Sequence, residues 1–162
     1  MSRQTVRNAV AQYFAPPNVP GLNKIYISQP KRITGTDFHG GRPSGDLNGA
    51  VGVIYIAAET EERRGIGGEH SGKKWVHYTV QFQVLVNSRE QLSENSMVFF
   101  DSIIDAVKDR LRSNRRLDDY PVIFEAGERE LIGEYTDPVL LEDGSTEIWG
   151  AVTFEVSEFL TT

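Results

Sequence analysis

Residues 75–86, WVHYTVQFQVLV, alternate for almost their whole length. Val76, Tyr78, Val80, Phe82, Val84 and Val86 fall on one side, and His77, Thr79, Gln81 and Gln83 mostly on the other. Successive strand side chains point to opposite faces, so this pattern demands a strand with one buried face. Further on the period changes. Met97, Phe100, Ile104, Val107 and Leu111 recur on one stripe of SMVFFDSIIDAVKDRLR, which marks an amphipathic helix. A strand that needs cover, followed by a helix that needs a surface, predicts a two-layer α+β domain.

The 162 residues suit one domain, which at this size buries about 70% of its unfolded surface without disulfide or metal. With no cysteine, thiol catalysis, thiolate metal sites and disulfides are excluded together. No apolar run approaches the roughly 18 residues that span a bilayer, and MSRQTVRNAV lacks the apolar stretch of a secretion signal. The expectation is a chain made in the cytoplasm with no membrane partner. A net charge of −6 opposes tight nucleic-acid binding, because that affinity comes chiefly from cations neutralising phosphates. Arg110, Arg112, Arg115 and Arg116 cluster at the end of the predicted helix, where the macrodipole favours cations.

Val6, Val10, Tyr13 and Phe14 have helical spacing over residues 3–14, with Ser2 as a candidate N-cap, and APPNVPG then stops the helix. Residues 23–30, NKIYISQP, read as a short strand. The Gly-rich stretch 31–49 has no apolar periodicity and reads as a surface loop, longer than most connections. AVGVIYIAAE, residues 50–59, is almost continuously apolar and reads as a central strand. The polar segment TEERRGIGGEHSGK joins it to the opening strand as the projecting tip of a long β-hairpin. Neither long loop carries an apolar stripe, so both are expected to order only on assembly. After SNRRLDDYP come VIFEA, RELIGEYT, PVLLED and TEIWGAVTFEVSEF as β pieces, with EDGS as the turn of a closing hairpin. The expected fold is a single α+β domain over residues 1–162, a mainly antiparallel sheet with a long hairpin and two helices packed on one face.

Catalytic chemistry is not visible. His39, His70 and His77 are too scattered to preorganise a metal, and His77 on the polar face of its strand reads as solvated or hydrogen-bonded. GIGGEHSGKK has a phosphate-loop texture but lacks the Gly-Lys-Ser/Thr order and precedes a strand where that chemistry needs a helix. The pairs Glu61/Glu62, Asp118/Asp119 and Glu142/Asp143 sit among turn residues and charges that keep carboxylates hydrated. No catalytic residue, metal or cofactor is expected.

The order of parts carries a resemblance: helix RQTVRNAVAQYF, strand KIYIS, a hairpin from AVGVIYIAAE to WVHYTVQFQVLV, helix SMVFFDSIIDAVKDRLRSN, and terminal strands ending in EIWGAVTFEVSEF. This order resembles the tail terminator (tail-completion) proteins of long-tailed bacteriophages. Two segments depart from the shorter members of that family, residues 31–49 and 128–141. The resemblance implies a non-enzymatic virion protein of the tail-neck region. Copies would form a homo-oligomeric ring, expected to be a hexamer, that caps the tail tube, ends its polymerisation and joins the tail to the head connector or stopper protein. Double-stranded DNA would pass the lumen without tight binding. Glu61, Glu62, Arg63, Arg64, His70, Lys73 and Lys74 at the hairpin tip would supply a subunit or tube interface. A solvated turn explains the same residues. Another head-tail connector, stopper or neck protein fits the texture as well, and an intracellular small-ligand or enzyme domain is the distant alternative.

Overall fold

The computed structural model describes residues 3–40, 47–63, 72–91, 93–113, 123–126 and 131–161. The fold is α+β. Three strands dominate it: β2 (Asn48–Arg63), β3 (Lys73–Ser88) and β7 (Thr146–Thr161), each 16 residues long and antiparallel to its neighbour. Beside β2 lies β1 (Leu22–Tyr26), parallel to it; beside β7 lie β4 (Ile123–Ala126), β5 (Ile132–Tyr135) and β6 (Val139–Leu140). Together they make a seven-stranded sheet.

Register decides what each face carries. Ala50, Gly52, Ile54 and Ile56 of β2 stand opposite Val86, Val84, Phe82 and Val80 of β3, which stand opposite Ile148, Gly150, Val152 and Phe154 of β7. This face carries the main core, together with α1 (Arg3–Phe14) and α3 (Ser93–Ser113). From α1 come Val6, Val10, Tyr13 and Phe14; from α3 come Phe100, Ile103, Ile104, Val107 and Leu111, all buried. The predicted helical stripe holds, except that Ile103 joins it and Met97 is only partly buried. Phe100 lies over Gly150, where an added Cβ would come within 2.4 Å of its ring. Phe14 packs on Phe82 with ring centroids 4.7 Å apart.

Arg110 ties the two helices together. Its Nε donates to the Tyr13 carbonyl at 2.7 Å, its guanidinium lies 4.2 Å from the centre of the Tyr13 ring, and the Tyr13 hydroxyl donates to the Arg110 carbonyl at 2.5 Å. A cation thus satisfies a carbonyl that the last turn of α1 leaves without an intrahelical donor. Arg112 pairs with Asp109 at 2.9 Å. Arg115, Arg116 and the Asp118/Asp119 pair lie outside the described residues.

Residues 31–49 are not the featureless loop that their glycines suggest. They hold a third helix, α2 (Gly35–His39), and the start of β2. The parallel pairing of β1 with β2 explains their length, because parallel strands need a crossover of a dozen or more residues. A capping box starts α2: Thr34 Oγ accepts from the Asp37 N–H, and Asp37 accepts from the Thr34 N–H at 2.9 Å. That backbone bond is the chief reason the Asp37 carboxyl lies far below the usual carboxylate range. Phe38 and His39 are buried. An added Cβ on Gly49 would meet the Phe38 carbonyl oxygen at 2.2 Å, so only glycine lets α2 approach β2 this closely. Gly49 pairs with Asn87, which places α2 on the face opposite α1 and α3. Phe38, Val51, Val53 and Ala151 are buried outside the main core, forming the cover of this second face.

β2 also runs further than its apolar run predicts, to Arg63, past a register shift between Ile56 and Ala58. It is central only at its start, since β1 pairs with it from Ala50 to Val53 and no described strand flanks the rest. The first strand ends at Tyr26 rather than Pro30. β4, β5 and β6 follow one another along the same margin of β7, so residues 131–140 form part of a broken edge strand. The closing turn holds Gly144 at φ +83° and bonds Leu141 N–H to the Ser145 carbonyl at 2.8 Å.

Candidate functional site

The residues read from sequence as a projecting tip divide three ways. Glu61, Glu62 and Arg63 end β2, and Lys73 and Lys74 open β3, with Arg63 in register with Lys74. They belong to paired strands, which corrects their assignment to the turn. Arg64 and His70 lie outside the described residues.

The paired residues face opposite sides. On the helix side, Lys74 Nζ donates to Glu61 Oε1 at 2.9 Å and Arg63 Nε lies 3.6 Å from the same oxygen. The Lys74 hydrogen bond is the main cause of a lowered Glu61 pKa. Further along this side, Arg3 of α1 pairs with Glu59 at 2.7 Å. On the other side, Glu62 Oε1 lies 4.0 Å from His77 Nε2, and His77 Nδ1 lies 3.1 Å from Glu155 and 2.8 Å from Ser157 Oγ. Trp75 stacks on His77 with centroids 6.3 Å apart. Cross-strand pairs of this kind hold a ribbon together.

The histidine, serine and glutamates do not make a nucleophilic relay. Such a relay takes the nucleophile's proton on one ring nitrogen and is oriented through the other. Here Ser157 is buried and shares Nδ1 with Glu155, while Glu62 lies 4.0 Å from Nε2, too far for an orienting hydrogen bond. Among the described residues no group of three or more His, Asp or Glu side chains is placed to hold a metal ion.

A second polar group sits at the base of the hairpin. His39 Nε2 meets Asn87 Oδ1 at 3.0 Å, Asn87 Nδ2 donates to Ser145 Oγ at 3.1 Å, and Ser145 Oγ donates to Asp143 at 2.6 Å. On the helix side, Ser88 Oγ donates to Asn48 at 2.6 Å and meets Ser96 Oγ at 2.8 Å. These groups join α2, β2, β3, α3 and the last turn. An open pocket of about 330 Å³ beside them is lined by Leu47, Arg89, Glu90, Gln91 and Asn95.

Sequence reading missed α2 and Glu158. The Thr34-x-x-Asp37 spacing is a capping-box signal for the first. The second follows from continuing the β7 alternation one step past Val156, which puts a carboxyl on the buried face. No helix among the described residues is long and apolar enough to cross a membrane. No protein-family model matches the chain, and no curated protein matches it.

Proposed function

We propose that the protein is a ring-forming structural component of a long-tailed phage particle, a tail terminator that caps the tail tube, ends its polymerisation and joins the tail to the head connector. One observation carries this reading: the two margins of the sheet are unlike. The β2 margin is free of a described strand beyond Val53, and its side chains from Ala57 to Arg63 are exposed. The β7 margin is flanked by β4, β5 and β6, and this side exposes Ile132, Val139 and Leu140. A ring repeats one heterologous contact, which needs two different surfaces on each subunit. Apolar side chains on one margin and an unpaired strand edge on the other supply two such surfaces.

The acidic total supports a lumen that lets double-stranded DNA pass without holding it, since like charge opposes phosphate binding. The tail tube and the connector or stopper would meet the two ends of the ring, which would have no catalytic task. The test is mass in solution and on isolated tails, where a ring gives a discrete multiple of 18.2 kDa. Particles lacking the protein should have tails of irregular length unjoined to heads. Normal-length tails joined to heads in its absence overturn the reading.

A further inference from the structure

Glu158 takes the inward place after Val156 on β7, in register with Val76 of β3 and Ile123 of β4. It is fully buried, at 0% exposure. Oε2 accepts from the Tyr78 hydroxyl at 3.1 Å, and Oε1 has no hydrogen-bond partner among the described residues. An ionised carboxylate offers about four acceptor sites to water. Among the described residues this one keeps a single donor. We propose that the folded subunit carries Glu158 as a neutral carboxylic acid well above the pH at which an exposed glutamate ionises, and that its ionisation is a proton-controlled latch on the last residues of β7.

Among the described residues no cation pairs with the carboxyl. From β2, Glu59 stands opposite Tyr78 and adds a like charge. Arg3 of α1 is engaged by Glu59, and Lys74 of β3 by Glu61. Arg7, one turn further along α1, has a buried Nε with no hydrogen-bond partner among the described residues. β4 brings Glu125 into register with Ser157 rather than with Glu158. Burial is the largest influence and pushes the Glu158 carboxyl up, while the Tyr78 hydrogen bond and the chain's amino terminus act in the opposite sense. The Tyr78 hydroxyl is itself raised, by burial first and then by the charge of Glu158, so it stays a donor.

A raised carboxyl in the folded state means that the native chain binds more protons than the unfolded one. Stability is then full below the exposed value of 4.5 and falls as pH rises through the folded value. Within that window the folding constant changes about tenfold per pH unit for one proton.

Equilibrium unfolding of the whole chain from about pH 4 to pH 9, for wild type and Glu158→Gln, tests this by the linkage slope. The variant should equal or exceed wild type above the window, with the gap closing towards acid. A wild-type infrared band of a protonated carboxyl should persist above pH 4.5 and vanish in the variant. Parallel pH curves, or no such band in wild type, overturn the proposal. Should the variant not fold, amide exchange of wild type decides: residues 156–160 must lose protection as pH rises, after correction for intrinsic exchange, and constant protection overturns it.

Discussion

β2 is one continuous strand, and its two halves obey different rules. From Gly49 to Ile54 every side chain or Cα is buried, with α1 and the main core on one face and α2 on the other. From Ala57 to Arg63 every residue is exposed, although the strand still pairs with β3 at each step after the register shift. The first half is held by exclusion of water, the second by a backbone ladder and by pairs such as Glu61 with Lys74 and Glu59 with Arg3. The difference shows that strand length and core length are separate quantities. β3 crosses both halves because its inward side chains, from Val76 to Val86, stay buried throughout.

That contrast breaks if substitutions in the two halves cost the same. Phe82→Ala removes a fully buried ring that packs on Phe14 and should cost about 3–5 kcal/mol. Thr60→Ala in the exposed half should cost under about 0.5 kcal/mol. Urea unfolding of both variants checks the pair, and equal midpoints would end the distinction. Next in size is Gly49→Ala. Its new methyl group must displace the Phe38 carbonyl, a backbone atom, so α2 should be pushed off the second face for about 1–3 kcal/mol. Faster amide exchange over residues 35–39, with α1 and α3 unchanged, is the expected signature. Arg110→Met, which keeps the apolar stem but removes the donor to Tyr13, should cost about 1–3 kcal/mol. A thermal midpoint equal to wild type would mean that the two helices are held by their apolar faces alone.

What was legible follows the same division. The alternation of residues 75–86 and the stripe on α3 reported burial directly, since a one-sided strand and an amphipathic helix have distinct periods. They located β3, α3 and the face between them. Residues 31–49 misled because a helix of five residues is too short to develop a period, and its only signal was the cap at Thr34 and Asp37. The end of β2 misled for the opposite reason: Glu61, Glu62 and Arg63 have turn-like chemistry but extend a strand whose pairing is supplied by β3. For the candidate interface, sequence gave the charges but not their arrangement. The bulge between Ile56 and Ala58 decides that Glu61 faces Lys74 and Glu62 faces His77, and composition does not encode a bulge.

A smaller effect separates the cover of the second face from the core itself. Asp37 has a depressed folded-state pKa, set first by the Thr34 N–H, so its contribution is present above the ordinary value of 3.8 and is lost as pH falls below it. Acidification should therefore loosen α2 before the main core. Amide exchange of residues 37–40, compared between pH 5 and pH 2 after correction for intrinsic rates, should show the loss under way in wild type, since it runs from 3.8 down through the much lower folded value. Asp37→Asn should show little further change between the same two conditions. A wild-type α2 whose protection at pH 2 equals that at pH 5 would mean that Phe38 and Gly49, rather than the cap, anchor this helix.

The smallest effect on the folded subunit belongs to Arg63, and it tests whether the exposed half of β2 has a partner. Its side chain is 82% exposed, and its contact with Glu61 at 3.6 Å is longer than the one that Lys74 makes with the same oxygen. Arg63→Glu therefore leaves Glu61 its better partner, and the thermal midpoint should not move. On the ring reading, the change still reverses a charge on the unflanked strand edge. Ion pairs at the rim of an interface steer encounter and are screened by salt more than they add affinity. Assembly of rings, or capping of tails, should then be slower than wild type at low ionic strength and should approach the wild-type rate as salt is raised. Light scattering or counts of capped tails across a salt series would measure it. Equal rates at every salt concentration would leave the exposed half of β2 as a solvated ribbon with no partner at Arg63.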